Sequence, residues 1–329
     1  MTHFAARQPA AVTGGAEIEI PLSQIPIRPI TLTKRLTKYV APVLFVLPAL
    51  LLVLFWVYRP LVQTFGLAFQ RWNMSPNVAP VNVGFENFSY IFSHPDFLQA
   101  VINTGIYILA MLPFSVILPM ILAIVTNDLS ARAKNIYRAL FFIPMIMPPV
   151  AASAVWRWLF HPVNGLINTT LMDWGWISEG IRFLSDENLT LLSIVIIAGW
   201  KMIGFSTLMF SAGLTGIDKS YYEAASVDGH KKWKQIFSIT IPLLSPTIML
   251  MIMMSVLMTA QWTFAYIDVL TQGGPADAST NVYYLLWTYG FKNFNSGLSS
   301  AAAIVFFIGF GILALLFTRL NRKIAFYDN

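Results

Sequence analysis

Six stretches of this chain are apolar for about twenty residues each, and polar, mostly basic segments separate them. They run from Tyr39 to Tyr58, Val101 to Val125, Ala139 to Phe160, Leu191 to Gly213, Leu243 to Ile267 and Gly297 to Phe317. A helix needs about twenty apolar residues to cross a hydrocarbon core of about 30 Å, and each stretch is near that length. The pattern predicts an all-α membrane protein with six transmembrane helices. An even number of spans puts both termini on one side. The first 33 residues are different in kind: rich in Ala and Pro and without periodicity, they read as a flexible tail. They also lack the basic-then-apolar order of a cleavable signal peptide. Residues 34–329 form the six-span domain.

Charge orients the bundle. One set of loops holds Lys34, Arg35 and Lys38; Arg132, Lys134 and Arg138; Lys219, Lys231, Lys232 and Lys234; and Arg319, Arg322 and Lys323. The opposite loops are longer and hold only Arg59, Arg71, Arg182 and Lys292. Basic residues near span ends resist translocation, so the richer side, with both termini, is expected in the cytoplasm. The Lys34–Lys38 stretch can lie on anionic lipid headgroups. The outer loop from Arg71 to Gln99 carries Phe85, Phe88, Tyr90, Phe92 and Phe97, which predicts a short helix in the aromatic belt of the interface.

Composition agrees. Hydrophobic residues make up 57% of the chain and charged residues 11%, against roughly a quarter charged in soluble domains. The net charge of +6 does not point to nucleic acid, because the basic residues are spread between apolar stretches rather than clustered on a soluble face. With no cysteine, disulfides and thiolate chemistry drop out.

Residues 214–242, between the fourth and fifth spans, are the most distinctive segment. Tyr221 to Gln235 holds helix formers broken by Gly229, which permits a turn that a Cβ would resist. Ala224 and Ala225 offer a small-residue face for a partner's close approach, and Glu223 and Asp228 offer acceptors to its basic groups. Pro242 ends the loop and starts the fifth span. The plain alternative is an amphipathic helix lying in the interface. Spacing separates the two: Glu223-Ala224-Ala225, three residues, Gly229, nine residues, then Ile239-Thr240-Ile241-Pro242. This resembles the EAA loop in the membrane subunits of bacterial ATP-binding-cassette importers, with Ile241 where Leu is usual. The resemblance implies a helix-turn-helix that fits a cleft on an ATPase subunit.

Other segments resemble the carbohydrate branch of that permease family. They are Phe85-Glu86-Asn87-Phe88 with Asn103-Thr104, Arg138 with Phe142-Ile143-Pro144, Trp156 and Gly165, and Leu270-Thr271-Gln272-Gly273-Gly274-Pro275. Ala265 follows Phe264 where many sugar permeases carry Asp, and the acid is Asp268, a placement more similar to the glycerol-3-phosphate type. The resemblance implies the type I importer permease fold in the bacterial inner membrane. It also implies a second homologous permease, a dimer of ATPase subunits that bind ATP and Mg, and a periplasmic solute-binding protein. No cofactor is expected in this chain.

Polar groups inside spans are costly and so informative. Lys201, about ten residues into the fourth span, is either a contact for an anionic or hydroxyl-rich solute, together with Arg157, or a structural group that snorkels or pairs with a neighbour. Asn103, Gln261, Trp262 and Tyr266 are further solute-pathway candidates, since aromatic faces pack on sugar rings and amides bind hydroxyls in pairs. Plain helix packing is their alternative.

Enzymatic readings find little support. There is no Gly-x4-Gly-Lys-[Ser/Thr] phosphate loop, so the chain is not expected to hydrolyse ATP itself. His3, His94, His161 and His230 lack metal-ligand spacing, and no Gly-x-Ser-x-Gly elbow occurs. A secondary transporter is the alternative of another class, but it would carry acidic or histidine relays within its spans and paired inverted halves. A channel would show a filter or a ring of charge.

Overall fold

The computed structural model describes residues 32–324. Of the expected tail over residues 1–33, residues 1–31 fall outside the described part, as do the side chains of Lys34–Lys38, and its last two residues open the first helix. Internal packing divides the chain into Met1–Pro60 and Leu61–Asn329. In the first unit, α1 (Leu32–Val53) contains Pro42 and Pro48 and runs into a π-helical turn, Leu54–Tyr58. Its apolar side chains, among them Phe45 and Trp56, are exposed, as suits a helix bathed in hydrocarbon.

The second unit begins within α2 (Arg59–Leu67). A minimal hairpin pairs β1 (Gln70–Arg71) with β2 (Val81–Asn82), Gln70 opposite Asn82. A short helix forms in the aromatic-rich loop, α3 (Glu86–Ser93), held by buried Asn87, whose Nδ2 donates to the carbonyls of Ala68 and Gln70, each at 2.9 Å. Then come α4 (Pro95–Leu112), a π turn at Pro113–Ile117 and α5 (Leu118–Asn127), together one long apolar helix. The chain continues through α6 (Ala131–Ile146), α7 (Pro149–Leu159), α8 (Leu166–Asp173) and α9 (Thr190–Thr215). Next are α10 (Lys219–Val227), α11 (Lys232–Gln235), a π turn at Ile236–Thr240, α12 (Ile241–Leu243) and α13 (Ser245–Tyr266). After the π turn Ile267–Thr271, α14 (Val282–Trp287) precedes α15 (Ser296–Ile324).

At the centre is α9, which packs against α4, α5, α6 and α13. Two glycines let it approach so closely. A Cβ on Gly204 would stand 2.1 Å from the carbonyl oxygen of Phe141, and one on Gly199 would stand 2.4 Å from the Phe114 ring. Small residues at such interfaces are what van der Waals packing between membrane helices requires. Tyr107, Met111, Ile194, Ile197 and Tyr266 fill the adjoining core.

The third span departs from expectation. Ala139 to Phe160 is not one helix: α6 and α7 meet at 95°. Met147 (ψ 131°) and Pro148 (ψ 138°) are extended. Proline disfavours the helical conformation in the residue before it and removes a backbone donor, and Pro148-Pro149 applies both effects in succession. Among the described residues, five helices are long and apolar enough to cross a membrane, six when this bent pair counts as one span.

Candidate functional site

Residues 218–243 fold into a helical hairpin. Asp218 caps α10: its Oδ1 accepts from the Ser220 backbone N–H at 2.8 Å, which also holds its carboxyl below the usual carboxylate range. At the far end the His230 N–H donates to the Ala225 carbonyl (2.9 Å) and the Gly229 N–H to the Ser226 carbonyl (3.1 Å), with Gly229 at φ +75°. That is a Schellman motif, in which glycine takes the left-handed position at least cost. No atom lies within 4 Å of where a Gly229 Cβ would stand, so the turn needs glycine for backbone conformation and not for space. Side chains then lock the arms. The Tyr222 hydroxyl bonds Thr240 Oγ1 (3.0 Å), and Gln235 Nε2 donates to Ser226 Oγ (2.9 Å) and the His230 carbonyl (3.1 Å).

Glu223, Ala224, Asp228 and Gly229 lie on the outward side of this hairpin, with Val227 89% exposed between them. Ala225 does not share that face. It is buried, about 100° around the helix from Ala224, so its smallness serves the hairpin's own packing. Ile239 and Pro242 are half-buried in the returning arm.

A cleft of about 590 Å³ opens behind the hairpin, lined by Asn127, Asp128, Lys134, Lys219, Tyr222 and Lys232, among others. Lys232 Nζ donates to Asp128 Oδ2 at 2.7 Å, and that carboxylate raises the lysine's pKa. Lys134 Nζ donates to Asn127 Oδ1 at 3.0 Å. The hairpin and the α5–α6 loop therefore share one end of the bundle. At the other end, the Tyr289 hydroxyl donates to Asp96 Oδ2 (2.6 Å) and Ser296 Oγ to the Trp72 carbonyl (2.8 Å).

Of the five solute-pathway candidates, Trp262 and Tyr266 share one apolar cluster. Asn103 is buried, and its Nδ2 donates to the carbonyls of Asp277 and Thr280, both at 2.9 Å, while Oδ1 accepts from Gln99 (3.0 Å). Both of its amide N–H donors are spent on the α13–α14 loop, which they pin. Lys201 Nζ donates to the Met147 carbonyl at 2.7 Å. That bond ties Lys201 to the broken third span and uses one of the three N–H groups of its ammonium. Arg157, by the same logic, donates to the Val269 carbonyl. Gln261 is exposed, Trp262 half-buried and Tyr266 buried. The Tyr266 hydroxyl has no hydrogen-bond partner among the described residues.

Sequence reasoning missed the buried asparagines that hold the loops. Asn281, fully buried, donates to the Ala260 carbonyl and Thr263 Oγ1, both at 2.8 Å, and accepts from the Tyr284 N–H at 2.8 Å to cap α14. Asn168 clamps residues 161–181 in the same way. An isolated Asn in an apolar-flanked loop was their only signal.

Residues 88–325 match the family described as binding-protein-dependent transport system inner membrane component. The chain is 31% identical over 274 residues to the sn-glycerol-3-phosphate transport system permease protein UgpA of Agrobacterium fabrum, covering 82% of this chain and 90% of that one. It is 30% identical over 288 residues to the probable ABC transporter permease protein YesP of Bacillus subtilis, covering 87% and 91%. Among solved structures, a chain of a bacterial ABC transporter involved in the import of the acidic polysaccharide alginate superposes with a TM-score of 0.77 at 22% identity, covering 90% of this chain and 99% of that one. The alginate transporter in complex with its alginate pentasaccharide-bound periplasmic protein gives 0.76, also at 22% identity, covering 89% and 98%. At such identity the likeness establishes the fold.

Proposed function

The chain belongs to the binding-protein-dependent transport system inner membrane component family, and on that premise we propose that it forms half of the translocation pathway of an ATP-driven importer for a sugar or sugar-like solute. The other half is a second, homologous permease. Two ATPase subunits bind ATP and Mg, and a periplasmic solute-binding protein delivers the cargo. The hairpin is the observation that carries this reading. Glu223, Ala224, Val227 and Asp228 form an outward face of small and acidic groups on a locked helix-turn-helix, which suits a cleft with basic groups on an ATPase subunit.

In this mechanism, closure of the ATPases on ATP pulls the hairpin. The hairpin is tied through Tyr222–Thr240 to its own returning arm and through Lys232–Asp128 to the α5–α6 loop. A displacement therefore reaches the fifth span directly and the second and third through that loop. The spans rock and the pathway opens to the outside, where the binding protein releases its solute. In this reading the hairpin end faces the cytoplasm, which the basic loops on that side support.

A second reading, an anionic cargo such as a glycerol phosphate, sulfo-sugar or sugar acid, draws support from the likeness to a sn-glycerol-3-phosphate permease. The test is uptake into proteoliposomes. Solute should accumulate only with the partner permease, the ATPases, binding protein and ATP. Uptake by this chain alone under an ion gradient would overturn the importer reading in favour of a secondary transporter.

A further inference from the structure

At the bundle end opposite the hairpin, a cavity of about 230 Å³ opens between α7, the loop before α9 and the π turn after α13. Its floor is aromatic: Phe160 and Phe183 stack with ring centroids 4.6 Å apart and planes at 30°. Its rim carries Arg157, His161, Arg182 and Ser185, and no carboxylate among the described residues lines it. The nearest acid in sequence, Asp186, is engaged elsewhere, its Oδ1 accepting from the Asn188 N–H at 2.8 Å. His161 Nδ1 accepts from the backbone N–H groups of Val163 (3.2 Å) and Asn164 (3.1 Å). The proton of the neutral ring therefore sits on Nε2 and leaves a further donor.

This rim is built and rigid. Buried Asn168 ties the His161 carbonyl to both backbone groups of Ile181, and Ser193 Oγ donates to the Phe183 carbonyl at 2.9 Å. A Cβ on Gly165 would meet the His161 carbonyl oxygen at 2.4 Å, so the turn closes on glycine alone. Arg157 is oriented by the Val269 carbonyl. Arg182 is exposed, and its guanidinium has no hydrogen-bond or ion-pair partner among the described residues. Two guanidiniums and a ring N–H over a stacked aromatic floor match one ligand chemistry: a carboxylate or phosphate attached to a small ring or carbon skeleton.

We propose that this cavity is an anion-binding subsite on the outer face, which takes the carboxylate or phosphate of a solute before it enters the pathway. Calling the ligand a solute, and the face outer, rests on the importer reading above; the binding chemistry does not.

The test uses the assembled transporter in lipid nanodiscs, without ATP, and calorimetric titration with inorganic phosphate and with glucuronate. Saturable binding of at least one probe is expected. Arg182→Gln should weaken it roughly tenfold or more, as loss of a charge-assisted contact requires. Arg71→Gln, at another outer arginine, which pairs with Glu86, should leave it unchanged. Arg182→Lys, which keeps charge without the planar fork, should fall between, and matched thermal unfolding identifies any variant that fails to fold. No saturable binding of either probe, or equal affinity in Arg182→Gln, overturns the subsite. So does a third result: neither probe binds but Arg182→Gln lowers capture of the binding protein, which would make an acidic side chain of that protein the occupant. If anion binding is intact while ATP-driven uptake is absent, the subsite stands and the importer reading fails.

Discussion

The ammonium of Lys201 on α9 donates at 2.7 Å to the carbonyl of Met147, the residue where the third span breaks. Backbone groups inside a membrane must find partners within the protein, and the extended Met147-Pro148 pair has left the helical ladder. A lysine from the neighbouring helix supplies the missing donor.

Lys201→Met should therefore lower stability and assembly while leaving transport per assembled complex close to normal. The stranded carbonyl costs about 1–3 kcal/mol. Thermal unfolding in detergent and uptake normalised to assembled complex measure the two effects. A raised half-saturating solute concentration at full assembly would return Lys201 to the pathway.

Asn103→Leu makes the same kind of test in the loop that follows the fifth span. Two backbone carbonyls, of Asp277 and Thr280, lose their donor, for a cost of about 1–3 kcal/mol per group left buried. The melting temperature should fall and the solute affinity should hold. Affinity loss in a fully stable variant would contradict the structural role.

Gly229→Asp should insert and express normally yet abolish ATP-dependent uptake. A side chain at φ +75° carries a backbone cost of roughly 1–2 kcal/mol, and the added carboxylate alters the docking face. Glu223→Lys should act alike by reversing an exposed charge, and an acidic substitution on the ATPase should restore part of the activity. Wild-type transport by Gly229→Asp would remove the hairpin from the coupling path.

Topology can be read by single cysteines, since the chain has none of its own. Cysteines at Lys231 and Lys234 should label only from the cytoplasm, and one at Ala276 only from outside; all three positions are exposed. The reverse pattern would invert the assigned orientation.

The Tyr289–Asp96 bond, at the bundle end opposite the hairpin, has a defined pH range. Burial, and after it the bond and charge of Asp96, push the tyrosine's pKa well above its ordinary value. A raised value means that the contribution is complete below about pH 10, the unfolded value, and declines only as pH climbs toward the folded one. Tyr289→Phe should thus lower the melting temperature by the same amount at pH 6 and pH 9. A loss confined to one of them would mean that another group governs the contact.

The apolar runs, the distribution of Lys and Arg and the spacing from Glu223 to Pro242 were enough to read six spans, a proposed orientation and the hairpin. Each of these depends on local physics: the length of hydrocarbon to cross, the cost of moving a charge through it, and the backbone freedom of one glycine. The roles of single polar residues inside the bundle were not legible in this way. Lys201 and Asn103 carry the side chains of a solute site, but whether their donors are free depends on carbonyls 54 and more than 170 positions away. The break at Met147-Pro148 was within reach of the sequence, because two adjacent prolines forbid a regular helix; the 95° turn and the lysine that satisfies it were not. Ala224 and Ala225 are adjacent in sequence, yet only the packing of the hairpin decides that one faces outward and the other is buried. Local composition determines where helices run and which ends are basic. Long-range packing alone determines which buried donor meets which orphaned carbonyl.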